Sequence, residues 1–196
     1  WVSLGDLVGT LEPQKGVMWP DVIGNGTGTV SLIVSECVLN DWHSEGITNV
    51  VVGGQVFLQP PYPKRLRNTE PPPYAWLAAR AMRIAHVDID ASGIVLKEPC
   101  STCGGRNQDV AATLARQRFR QYPYVFLEGS WNGADLFTAD RFGSHFFCTD
   151  AVLECARKHR HLNFRFIPIE AGAASWSKGI DYLGKKWPVH HPLRQS

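Results

Sequence analysis

Apolar and polar positions fall into a regular pattern from Val30 onward. Residues 30–34 are a short apolar run of strand type, Ser35 has the side chain of an N-cap, and Glu36 places negative charge in a first helical turn. Val38, Leu39 and Trp42 then share one face of a short helix that Gly46 should stop. Residues 47–52 predict the next strand. The pattern returns late in the chain: residues 146–148, then Thr149 and Asp150 as a helix start, then Val152, Leu153 and Ala156 on one face, then residues 163–166 as a strand. With Ser35 set against Thr149 the offset is 114, and at that offset Glu36 meets Asp150, Val38 meets Val152, Leu39 meets Leu153 and Asn49 meets Asn163. The pattern predicts an α+β fold with two similar strand-helix-strand halves, over residues 30–58 and 144–170, produced by duplication or by convergence of two capped units.

Between the halves, the proline-rich stretches 59–63 and 71–74 read as a rigid extended connector. Residues 74–85 fit either a helix or a strand. Residues 86–90 alternate, Ala91-Ser92-Gly93 is turn chemistry, and residues 94–96 resume an apolar run, which predicts a hairpin. Residues 108–120 predict an amphipathic helix with Val110 and Leu114 inward, ending before Tyr122-Pro123. Residues 124–127 are strand-like and residues 128–133 a turn carrying Trp131. The flanks lack periodicity, so residues 1–29 read as an irregular arm, residues 30–170 as the α+β domain and residues 171–196 as a tail. Gly24-Asn25-Gly26-Thr27-Gly28 lacks the preceding strand and the Lys-Ser/Thr of a phosphate loop.

The predicted hairpin delivers the chain to Pro99-Cys100-Ser101-Thr102-Cys103-Gly104-Gly105, a central C-x-x-C-G knuckle. Two thiolates two residues apart can reach one metal ion from a single turn, and the following glycine supplies the left-handed conformation such a turn needs. Cys100 and Cys103 therefore read as half of a structural zinc site. The other ligands are open: Cys37, Cys148, Cys155, His43, His159 and His161 are candidates, none with paired ligand spacing. A thiol-disulfide pair and an unmetallated turn are the competing readings, and the two glycines between the cysteines and the next helix count against the redox pair.

Composition narrows the function classes. The chain is 44% apolar and 19% charged with a formal net charge of +2, which disfavours nucleic acid as the partner. Runs long and apolar enough to cross a bilayer are absent, and the five cysteines, three of them isolated, suit a reducing, cytoplasmic setting. Asp88 and Asp90 share one face of a predicted strand, but no nucleophile-base pair or catalytic carboxylate spacing accompanies them, so a non-enzyme is expected. His159 and His161 read as surface residues at a helix end.

Several strings then coincide: Val34-Ser35-Glu36, Glu45-Gly46-Ile47-Thr48, Ala91-Ser92-Gly93-Ile94, Cys100-Ser101-Thr102-Cys103-Gly104, Trp131-Asn132-Gly133-Ala134-Asp135-Leu136-Phe137, Leu162-Asn163-Phe164 and Pro168-Ile169-Glu170. Together they resemble the double-CxxCG family of myxobacterial paralogues over most of residues 30–170. That resemblance implies an immunity protein, non-catalytic, which neutralises a cognate protein toxin by occlusion. It matches Cys100 and Cys103 to the family's second motif, and Trp1 to a position just after the first, so the remaining zinc ligands are expected upstream. Trp131 and Asp135 are the expected partner-binding residues, with Trp42 and Phe137 as anchors or, preferably, core. The alternatives are a zinc-ribbon-like adaptor for protein or nucleic acid and a CxxC thiol-disulfide oxidoreductase.

Overall fold

The computed structural model describes residues 7–10, 18–24, 31–60, 62–82, 84–117, 124–140, 146–164 and 166. The chain divides into two compact units, one made of Trp1–Val87 with Phe126–Phe164, the other of Asp88–Val125 with Arg165–Ser196. Among the described residues two sheets and three helices make a mixed α/β chain, compatible with an α+β reading.

The larger sheet, in the first unit, is built on β5 (Tyr74–Ala78), which lies antiparallel between β3 (Ser31–Ser35) and β4 (Val52–Gln59). Of the stretch that fits helix or strand, residues 74–78 form a strand because both of their edges are hydrogen-bonded, to β3 and to β4, and Ala79–Ala81 form a short 3-10 turn. Two further strands complete the order β1-β4-β5-β3-β2: β1 (Leu7–Thr10), parallel to β4, and β2 (Val22–Gly24), antiparallel to β3. Both fall in the stretch read as an irregular arm. They take their regularity from neighbouring strands, which a local pattern of four and three residues does not reveal.

On one face of this sheet Ile33, Val56 and Tyr74 form a buried cluster with Ile23, Leu58 and Trp76 against it. Val34 and Leu77 are fully buried, as are Val38 and Trp42 of α1 (Glu36–Ser44) and, nearly so, Val152 of α3 (Asp150–Lys158). Ser35 caps α1 by accepting the Val38 N–H, as the sequence predicts. A smaller sheet runs β6 (Ile84–Ala85), β7 (Leu136–Ala139), β8 (Phe146–Cys148), with all four residues of β7 buried.

The strands expected over 47–52 and 163–166 differ from what forms. Asn49 takes φ of 63°, which interrupts a strand over 47–51, and β4 begins only at Val52; Asn163 takes φ of 68°, so its own backbone is not extended. Long-range bonds hold these turns: Asn49 donates to Leu136 O at 2.7 Å, and the Leu162 N–H donates to Asp21 at 2.6 Å.

Those bonds belong to two matching sets. Asp21 accepts Ser35 Oγ on Oδ1, the Ser35 N–H on its carbonyl and the Leu162 N–H on Oδ2. Asp135 accepts Thr149 Oγ1 on Oδ1, the Thr149 N–H on its carbonyl and the Thr48 N–H on Oδ2. The β2–β3 pairs Val22/Val34, Ile23/Ile33 and Gly24/Leu32 likewise match the β7–β8 pairs Leu136/Cys148, Phe137/Phe147 and Thr138/Phe146. Each residue sits at the same sequence distance from its counterpart as Glu45 does from His159, which is 114.

The hairpin expected over residues 86–96 does not form, and in the second unit residues 89–93 are turns. Ser92 N–H donates to Asp88 O and Ile94 N–H to Ile89 O, while buried Ser92 takes the Val125 N–H on its Oγ at 2.8 Å. Residues 95–97 and 107–109 pair with each other instead, through Lys97 N–H to Asn107 O and Asp109 N–H to Val95 O, and carry the knuckle between them. The helix α2 (Val110–Gln117) starts near its expected place. Its buried Thr113 Oγ1 accepts the Val95 N–H, and Gln117 donates to Ser92 O.

Candidate functional site

The C-x-x-C-G turn is closed by two bonds of 2.8 Å, Cys100 N–H to Gly105 O and Gly104 N–H to Cys100 O. Gly104 has φ of +69°, the left-handed position that a glycine fills without strain. The amide of Cys103, then that of Thr102, then the Cys103 thiol donate toward the Cys100 sulfur and pull its thiol down from 9.0 to about 7. Both cysteines are exposed and unbridged.

Two exposed thiols on one turn, with amides aimed at a sulfur, suit two corners of a tetrahedral thiolate site. The other two corners are not found: among the described residues no group of three or more His, Cys, Asp or Glu could hold a metal ion. Several candidates for those corners are engaged elsewhere. Cys37 donates weakly to Asp41 at 3.7 Å, Cys155 is buried on α3, and His159 and His161 are tied to carboxylates.

Trp131 and Asp135, only four positions apart, differ in what their side chains do. Trp131 is 45% exposed, donates its indole N–H to Ala134 O at 3.0 Å and lies tilted on Phe137 with ring centroids 5.9 Å apart. Its mount is an aromatic cluster in which Phe126, Phe137 and Phe147 meet at 5.3–5.6 Å. Burial raises the Asp135 carboxyl, but the bonds from Thr149 and Thr48 outweigh it and hold the group below the ordinary range. Its oxygens fasten three segments together. Trp42 and Phe137 are buried and pack as core.

His159 and His161 are expected on the surface, whereas His161 is buried. It meets Asp41 Oδ2 at 2.7 Å; His159 meets Asp41 Oδ1 at 3.3 Å and Glu45 Oε1 at 2.9 Å, where Lys158 also bonds at 2.6 Å. The two imidazoles stack within 21° of parallel, centroids 5.8 Å apart, and three of their four ring nitrogens already face carboxylates. The cluster is a charge-assisted clasp between α1 and the end of α3. Only the alternation of histidines in residues 159–161 signals it in sequence, and that has many meanings.

An imidazole, a carboxylate and a hydroxyl also meet at His86, Asp140 and Ser130. His86 Nδ1 is 3.2 Å from Asp140, but Ser130 Oγ is spent on the main chain of His86, accepting its N–H and donating to its carbonyl. Asp140 takes the Val87 N–H at 2.7 Å as well. These bonds pin residues 86–87 to Asp140, just after β7, and to Ser130 in the turn before it.

No described helix is long and apolar enough to cross a membrane. The sequence matches no protein-family model and no curated protein.

Proposed function

We propose that this chain acts by binding: it is an immunity protein that neutralises a cognate protein toxin by covering the toxin's active face. The observation that carries the binding reading is Trp131, a large aromatic surface held outward on a fixed mount. Interface energy concentrates in such residues, because a pre-positioned ring removes much apolar area from water with little loss of conformational freedom. Leu127, in the turn that precedes Trp131, is exposed as well and adds apolar area beside it. The toxin as partner rests on the resemblance of residues 30–170 to the double-CxxCG family.

In this reading the first unit is a scaffold of two duplicated halves, supported by the matched pairings and the Asp21 and Asp135 contacts. Asp135 serves that scaffold. Cys100 and Cys103 supply two ligands of a structural zinc, and the protein works in the cytoplasm where its toxin would act. A thiol-disulfide role is the second reading, favoured by the lowered thiol of Cys100. A Cys100→Ser variant separates the two: loss of zinc with loss of folding supports the knuckle, and loss of turnover in an intact fold supports exchange chemistry.

The test of the leading reading is to express the toxin encoded beside this protein, with and without it. Survival on co-expression and a complex by size exclusion are expected. Unchanged killing with no complex ends the proposal.

A further inference from the structure

The loop joining β4 to β5 presents a second surface, chemically unlike the Trp131 side. Lys64, Arg65 and Arg67 lie within four residues, all exposed, and among the described residues no carboxylate forms an ion pair with any of them. Three cations this close repel one another, and within a Debye length of about 8 Å salt does not hide that cost. The chain nevertheless holds them on a fixed frame. Leu66, between them, is buried and donates its N–H to Pro63 O at 2.8 Å. Thr69 bonds back to Leu66 O through its N–H at 3.1 Å and its Oγ1 at 3.0 Å. Trp19 donates to Thr69 Oγ1 at 2.9 Å and packs edge-on against Tyr62 at 5.2 Å; Tyr62 in turn bonds Leu58 O and accepts from Arg67 Nε. Met18, next to Trp19, is 64% exposed.

We propose that this turn, residues 62–69 with Met18 and Trp19, is a docking surface for an acidic protein face. The bonded turn fixes the backbone that carries the cations, and carboxylates opposite them would relieve the repulsion and accept the guanidinium forks. The composition separates protein from nucleic acid as the partner. Arg, Met, Trp and Tyr together are what protein interfaces enrich. A single-stranded nucleic acid site needs open aromatic faces and a track of cations along a backbone. Here the rings of Trp19 and Tyr62 are half-buried against each other and the cations sit in one turn.

The surface is independent of the toxin reading, so its test uses a different probe. A ten-residue polyglutamate peptide is titrated into the full chain and followed by amide and indole NMR shifts, with a ten-base-pair DNA duplex as the comparison. Shifts confined to residues 62–69 and the Trp19 indole are expected, with affinity falling about tenfold or more between low and physiological-to-high salt. Arg65→Glu/Arg67→Glu should abolish them. Lys97→Glu/Arg116→Glu, which changes net charge equally, should leave them in place. Should the first variant unfold, Lys64→Glu alone is read for a weakened titration. Absence of shifts in the turn, shifts that survive the reversal, or tighter binding of the duplex to the same residues would each overturn the proposal.

Discussion

His161 donates from Nε2 to the Asp41 carboxylate at 2.7 Å, joining residues 120 apart in sequence. The imidazole is buried, so this bond is one its surroundings cannot replace with water. Removing the carboxylate in Asp41→Ala is expected to cost about 2 kcal/mol or more, because His161 is left buried without that partner. Urea unfolding checks it. A double-mutant cycle with His161→Leu should show coupling above about 0.5 kcal/mol, and simple additivity would deny the clasp.

Gly53 has a similarly narrow tolerance. A Cβ there would stand 2.5 Å from the Trp76 ring, at the irregularity in pairing between Val52 and Gly54. Gly53→Ala should therefore destabilise by about 1–3 kcal/mol and shift Trp76 fluorescence. A variant as stable as the parent would show that the ring can move aside.

Acid should loosen the joint at Asp135. Its folded carboxyl lies below the ordinary value, so its contribution is fully present above the unfolded value near about 4 and is lost as pH falls through the folded one. Wild type should lose more stability than Asp135→Asn between about pH 5 and pH 3. Parallel stability curves for the two proteins would remove Asp135 from the acid response.

The knuckle predicts a reactivity order. In metal-free protein Cys100, with its thiol near 7, should alkylate first, with a rate midpoint close to pH 7, while Cys155, buried and with its thiol pushed up by burial, reacts far more slowly. Mass spectrometry after brief iodoacetamide treatment reads the order. The fast phase should vanish in Cys100→Ser and slow when zinc is added.

Trp131→Ala tests the binding surface without disturbing the buried aromatic core beneath it. The unfolding midpoint should change little, while affinity for the toxin partner proposed above falls by tenfold or more, equivalent to about 1.4 kcal/mol. Calorimetry measures the affinity. Unchanged binding would move the contact elsewhere on the molecule.

What the sequence determined about this protein is local. Ser35, Glu36 and the Val38/Trp42 spacing give α1 its start and its inward face, because capping and helix periodicity act over a turn or two. Gly104 gives the knuckle its shape for the same reason. The 114-residue offset was also legible, as a pattern of residue types. Only the tertiary structure decided the rest. Residues 47–51 have strand-like composition, yet Thr48 and Asn49 are turned by Asp135 and Leu136 from the other end of the chain. His161 carries nothing in its neighbours to say that it is buried, since Asp41 supplies the reason. Asp135, expected as a partner-binding residue, fastens Thr48 and Thr149, because a carboxylate's role is set by the donors that reach it, and here Thr48 arrives across 87 positions.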